Sequence, residues 1–224
     1  MTARQFSTLA FCLFGLACCL LFDHRVYADE PSEFQPPPLR VPNGFTVEVA
    51  AAPPLVKYPM MACLDEQGRL FIAETRGNNL EKKELLEQRG RFIRMLEDTD
   101  GNGNFDKSTI FADGLVMPEG ALWHQGSLFV LSSPYLWRFE DTDNDGVADV
   151  REKLVGYMDF NGKANQHGAY LGPSGRLFFS GGIFGYDLAG KDGKRVAKGT
   201  AAGIFSCRTD GSDLQVFGNG GINS

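Results

Sequence analysis

Two stretches of the 224-residue chain carry oxygen ligands at a spacing that suits a hard divalent cation. In Asp141-Thr142-Asp143-Asn144-Asp145-Gly146-Val147-Ala148-Asp149-Val150-Arg151-Glu152, side-chain oxygens fall at positions 1, 3, 5, 9 and 12, with glycine at 6 and the Val147 carbonyl at 7. Calcium takes six to eight oxygens, and alternate residues of a tight loop turn inward to supply them. An earlier stretch repeats the plan with Asp98, Asp100, Asn102, Gly103, Asn104 and Asp106, but Thr109 stands where the bidentate carboxylate belongs. That loss predicts weaker binding. Both loops are bounded by strand-like segments, so they read as strand, loop and strand rather than as a helix-flanked site. An Asp/Gly turn without an ion is the plainer alternative for each. A third acidic turn, Thr209-Asp210-Gly211-Ser212-Asp213, is too short to enclose a cation.

Histidine is the other source of chemistry. His124 follows Trp123 beside a Gly turn and reads as a surface residue, whereas His167 opens the segment Gln166-His167-Gly168-Ala169-Tyr170-Leu171. A histidine at the start of an inner strand can serve as a general base near neutral pH.

The elements that must position these residues recur along the chain. An apolar segment, a Gly turn and a second apolar segment appear at Met60–Leu64 with Leu70–Ala73, at Gly120–Trp123 with Leu128–Leu131, and at Gly168–Leu171 with Leu177–Phe179. Each hairpin is followed by a third strand (Phe92–Leu96, Tyr135–Phe139, Gly203–Cys207), an Asp-rich turn and a fourth strand (Thr109–Phe111, Lys153–Val155, Leu214–Phe217). Four strands make a propeller blade, and the 43 residues from Asp98 to Asp141 match the blade period of about 40–45. An insertion from Ile183 to about Ala202 lengthens the third unit and is expected to be a surface excursion. The charged stretch from Glu81 to Glu87 is expected to form two helical turns.

The fold class is therefore all-β, a β-propeller of which three four-stranded blades are present. Three blades cannot close a ring, so the chain is expected to be a fragment of a six- or seven-bladed one. In a blade, the turns after strands one and three share one face and the turn after strand two lies on the other. Both acidic loops follow a third strand, which makes them structural staples. His167, with Glu74 and Glu119, falls on the opposite face at the channel mouth.

Before the repeats, Arg4 precedes a 14-residue apolar run from Leu9 to Phe22 and then Val26-Tyr27-Ala28, the pattern of a secretory signal peptide cleaved near Ala28. The run is short for a membrane anchor, though retention as an anchor is the alternative. Residues 29–42 are Pro-rich and extended, and 43–224 form the partial propeller domain. The product is expected to be exported to the periplasm or cell surface. Cys63 and Cys207 would survive cleavage and could pair in an oxidising compartment, but two separately buried thiols are expected. The excess of acids over bases, net −6, and the lack of a basic stripe exclude nucleic acid as a partner. The 27 glycines exceed the usual ~7% and fit a fold with many tight turns.

The segment around His167 resembles the histidine-bearing inner strand of the glucose/sorbosone dehydrogenase-like quinoprotein propellers. More closely, Leu70-Phe71-Ile72-Ala73-Glu74, Leu96-Glu97-Asp98-Thr99-Asp100-Gly101, Phe111-Ala112-Asp113-Gly114-Leu115 and Gly203-Ile204-Phe205 together resemble a family of membrane-bound dehydrogenases whose N-terminal propeller precedes a haem-attaching module. The resemblance implies that His167 is the catalytic base, that pyrroloquinoline quinone is a cofactor beside the calcium expected from the two acidic loops, and that a sugar or alcohol is the substrate. It also implies a haem domain or other electron acceptor as partner in the full-length protein. No Cys-x-x-Cys-His occurs, so this chain carries no covalent haem. The groups that would hold the quinone come largely from later blades, and the isolated chain is expected to be inactive. The alternatives are a non-catalytic, calcium-stabilised propeller that binds a glycan or partner protein, and a calcium-dependent lactonase or esterase using Glu74 and Glu119.

Overall fold

The computed structural model describes residues 37–162 and 166–221. The leader expected at 1–28, the first residues of the Pro-rich segment and Ile222-Asn223-Ser224 lie outside them. The first sheet is built from β1 (Pro59–Leu64), β2 (Leu70–Glu74), β3 (Arg91–Glu97) and β4 (Lys107–Leu115), paired antiparallel in chain order, with helix α1 (Lys82–Gln88) between β2 and β3. The second contains β5 (Pro118–His124), β6 (Ser127–Ser132), β7 (Tyr135–Glu140) and β8 (Val150–Met158). The third opens with β9 (His167–Leu171) and β10 (Leu177–Gly181). The chain then makes a hairpin of β11 (Tyr186–Ala189) and β12 (Arg195–Gly199) before returning as β13 (Ala202–Cys207) and β14 (Gln215–Gly221). Strand assignments thus follow the three repeats.

The insertion departs from expectation. It is an ordered hairpin whose β11 pairs with β8, so it extends the second sheet to six strands while its ends belong to the third. Tyr186 and Leu188 alternate inward with Asp187 and Ala189, which is the pattern of a half-buried strand.

The sheets stack through side chains that alternate along each strand. Phe71, Ile93, Met95 and Phe111 of the first sheet meet Leu128, Val130 and Phe139 of the second. From the other side of the second sheet, Phe129, Leu131, Leu136 and Leu154 meet Leu177, Phe179, Phe205 and Cys207 of the third. All of β6 is therefore buried, which is why Ser127–Ser132 reads as an apolar run rather than an alternation. Each fully buried Phe or Leu contributes about 1.5–3 kcal/mol. The outer faces of the end sheets are different: Leu64 is 59% and Phe217 71% exposed.

Cys63 and Cys207 are both free thiols. Burial pushes them up to about 11 and about 12 respectively, so neither is a nucleophile at neutral pH. In α1, the Glu84 carboxylate accepts the Glu81 N–H at 3.1 Å, and Leu85 packs beneath against Val116 and Phe160. Among the described residues no helix is long and apolar enough to cross a membrane.

Candidate functional site

The hairpin registers fix which residues share a face. Pro59 pairs with Glu74, Pro118 with Ser132, and His167 with Ser180, so the starts of β1, β5 and β9 lie with the ends of β2, β6 and β10. At the opposite end Leu128 pairs with Phe139 and Glu140 with Val150, next to the loop at 141–149. Glu74, Glu119 and His167 are thus at one end of their sheets and both acidic loops at the other.

Strands β5 and β9 touch along their backbones. A Cβ on Gly120 would lie 1.4 Å from the Gly168 carbonyl oxygen, so the approach requires glycine at 120. Glu119 and His167 immediately precede these two glycines and flank the contact. Glu119 is 3% exposed. The His167 N–H donates to Ser180 Oγ at 3.2 Å, and its side chain lines a cleft of about 400 Å³ with Tyr170, Phe178, Phe179, Ser180 and Ile204. Among the described residues no lysine or arginine lines it. Glu74 is committed elsewhere: its carboxylate accepts from Arg94 Nε at 2.6 Å and from the Lys57 N–H at 3.2 Å. His124 stands at the other end of β5, away from His167.

In the loop after β3, oxygens of Asp98, Asp100 and Asp106 lie within 4.8 Å of one another, and in the loop after β7 those of Asp141, Asp143 and Asp149 do the same. The backbone winds around the first carboxylate of each. Asp98 accepts N–H bonds from Gly101, Asn102 and Gly103, and Asp141 accepts them from Asp145 and Gly146. Position nine ties back to position two, since Asp106 accepts from the Thr99 hydroxyl at 2.8 Å and Asp149 from the Thr142 hydroxyl at 2.9 Å. Asn102 and Asp145, at position five, accept the Asn104 and Val147 N–H groups at 2.8 and 2.7 Å. Glu152 does not join the second group. It sits directly opposite Arg138 in the β7–β8 ladder, 3.1 Å from that guanidinium, and also pairs with Lys191 of the inserted hairpin.

The carboxylates differ electrostatically. The Gly103 N–H, with those of Gly101 and Asn102, holds Asp98 below the ordinary carboxylate range. The Thr142 N–H and hydroxyl do the same for Asp149. Asp143 is drawn down by the Asp145 N–H, yet partial desolvation and the Asp145, Asp149 and Asp141 carboxylates outweigh this and leave it raised. A crowd of like charges that raises one of its members is relieved by a bound cation.

Stacked antiparallel sheets with a four-stranded repeat, inner strands in contact and acidic loops on one face define a β-propeller. The pyranose dehydrogenase PQQ domain from Coprinopsis cinerea, solved in its holo form, is a structural neighbour with a TM-score of 0.53 at 19% identity, over 82% of this chain and 43% of that one. The chain thus spans less than half the length of this neighbour, and the likeness is one of fold. Residues 35–223 match the model of a family described as a domain of unknown function, DUF7133, and the chain belongs to that family. No curated protein matches it in sequence.

Proposed function

We propose that the chain is part of an exported, quinoprotein-type propeller that oxidises a sugar or alcohol, with His167 as the base that takes the hydroxyl proton. The observation that carries this reading is the placement of His167, first residue of an inner strand, beside a cleft and on the face opposite both acidic loops. Its backbone is held by Ser180, which leaves the imidazole available to a substrate. A pyrroloquinoline quinone, when bound, supplies the two-electron acceptor. Its carboxylates call for cationic anchors, and among the described residues the cleft beside His167 has none, so those residues fit the base and not the cradle. The cradle is assigned to further blades of a six- or seven-bladed ring, which would also cover the exposed faces of the first and third sheets. Calcium at the two loops is structural in this reading. The product is periplasmic or on the cell surface after cleavage near Ala28, and a haem module or another acceptor takes the electrons onward.

A non-catalytic propeller that binds a glycan or partner protein is the second reading, favoured by the same lack of cations beside His167 among the described residues. Dye-linked oxidation by the whole protein, supplied with quinone and calcium, separates the two. His167→Ala leaves the backbone bond to Ser180 in place and is expected to lower turnover about a hundredfold or more. Unchanged turnover overturns the role of His167.

A further inference from the structure

A second cleft, of about 570 Å³, runs between the first and second sheets from the β6–β7 turn along β8, and the dehydrogenase reading makes no use of it. Its walls include Arg89 at the end of α1, Tyr135 and Trp137 of β7, and Arg151, Lys153 and Tyr157 of β8. Among the described residues three cations line it and no carboxylate does. Arg151 is partly neutralised from outside by Asp113, at 3.0 Å. Among the described residues Lys153 has no carboxylate within ion-pair distance. Its ammonium stands 4.4 Å from the centre of the Tyr135 ring and 5.4 Å from that of Trp137. Arg89 is likewise without a carboxylate partner, its Nε donating to the Leu86 carbonyl at 3.2 Å.

The rings of the aromatic wall pack on one another. Tyr135 stands edge-on to Trp137 and to Tyr157, and the Trp137 indole N–H is committed to the Ser132 carbonyl at 3.2 Å. Trp137 therefore offers ring surface rather than a hydrogen bond. A hydroxyl comes from the β6–β7 turn: Ser133 is 2% exposed, lines the cleft, and among the described residues its Oγ has no hydrogen-bond partner. A buried hydroxyl left without a partner asks for one. The volume is that of a small-ligand site, with an apolar wall and a few polar groups to fix orientation.

We propose that this cleft binds a sugar bearing a carboxylate or sulfate group. The sugar ring lies against Tyr135 and Trp137, the acidic group meets Lys153 and Arg89, and a ring hydroxyl bonds to Ser133. The inference stands whether or not His167 is catalytic, because no residue is shared between the two clefts.

The chain has two tryptophans, so its two indole N–H signals report separately on Trp137 and on Trp123, which stacks against Phe71. Titration of ¹⁵N-labelled protein with digalacturonate is expected to shift the Trp137 signal and leave Trp123 in place. The neutral disaccharide should bind at least tenfold more weakly. Lys153→Met and Arg89→Gln, both exposed positions, should each raise the dissociation constant about tenfold with near-ultraviolet circular dichroism unchanged. Equal affinity for the neutral sugar, a shift at Trp123 alone, or unchanged binding in both variants overturns the proposal. So does inorganic sulfate that competes as tightly as the sugar acid, which would mark a bare anion site.

Discussion

The loop at 98–106 packs back on its own sheet, whereas the loop at 141–149 reaches across to the sheet before it. In the first, the Asp106 N–H returns to the Glu97 carbonyl at 2.9 Å, and Phe105 covers Val56, Ile72 and Leu96. In the second, the Ala148 N–H donates to the Phe111 carbonyl of β4 at 2.8 Å, Gly146 faces Met95, and Ala148 packs on the core shared by the first two sheets. The same ligand spacing therefore has two consequences. A cation in the first loop would order that loop alone, while one in the second would fasten two blades. The third acidic turn continues the habit without a cage, since Gly211 lies against Leu154 of the second sheet.

The largest expected effect comes from removing a ligand that serves this fastening. At calcium one hundred times its dissociation constant, a site that binds only the folded state adds about 2.7 kcal/mol. Asp141→Ala should abolish most of the calcium-induced rise in melting temperature, and Asp98→Ala a smaller part. Equal losses would break the distinction between the loops.

The loops also differ in their response to pH. Without calcium, Asp98 and Asp149 are depressed in the folded state, so their contribution is present above the ordinary carboxylate range and lost as pH falls through their lowered values. Asp143 is raised, so its ionised form weakens the fold above that raised value, and the cost disappears on acidification. Carboxyl-detected titration should show Asp143 protonating first as pH falls, and Asp98 and Asp149 later. Calcium should lower Asp143 most. The reverse order would remove the electrostatic contrast.

The smallest effect concerns position twelve. Glu152→Gln should leave calcium affinity within about threefold of the original, because its carboxylate belongs to Arg138 and Lys191, and it should cost about 0–1 kcal/mol of stability, as for partly exposed pairs. A tenfold loss of calcium affinity would restore Glu152 as a ligand.

Glu152 also shows where sequence reading stops. Its spacing from Asp141 is that of a twelfth ligand, but β8 already begins at Val150, and the ladder sets Glu152 opposite Arg138. Here the loop exits straight into a strand, and the pairing of that strand with β7 turns position twelve toward Arg138 rather than into the loop. Strand identity, hairpin order and the two faces were legible because Gly turns separate apolar runs of alternating or continuous character. The β11–β12 hairpin was not, because its partner β8 lies far back in the chain and belongs to another blade. Glu74 could be placed at the correct end of β2 by counting strands, yet its bond to Arg94 depends on the pairing of β2 with β3. The cleft lined by Lys153 and Trp137 draws on α1, β4, β7 and β8, and no short motif spans them.

The most direct test of the account is hydrogen exchange with and without calcium, followed at Ala148 and along β4 and β8. Calcium is expected to slow exchange at Ala148 and in both strands, and Asp141→Ala should erase that protection while leaving the loop at 98–106 responsive. Protection confined to residues 141–149, or no calcium response at all, would contradict the claim that this loop fastens the first two blades.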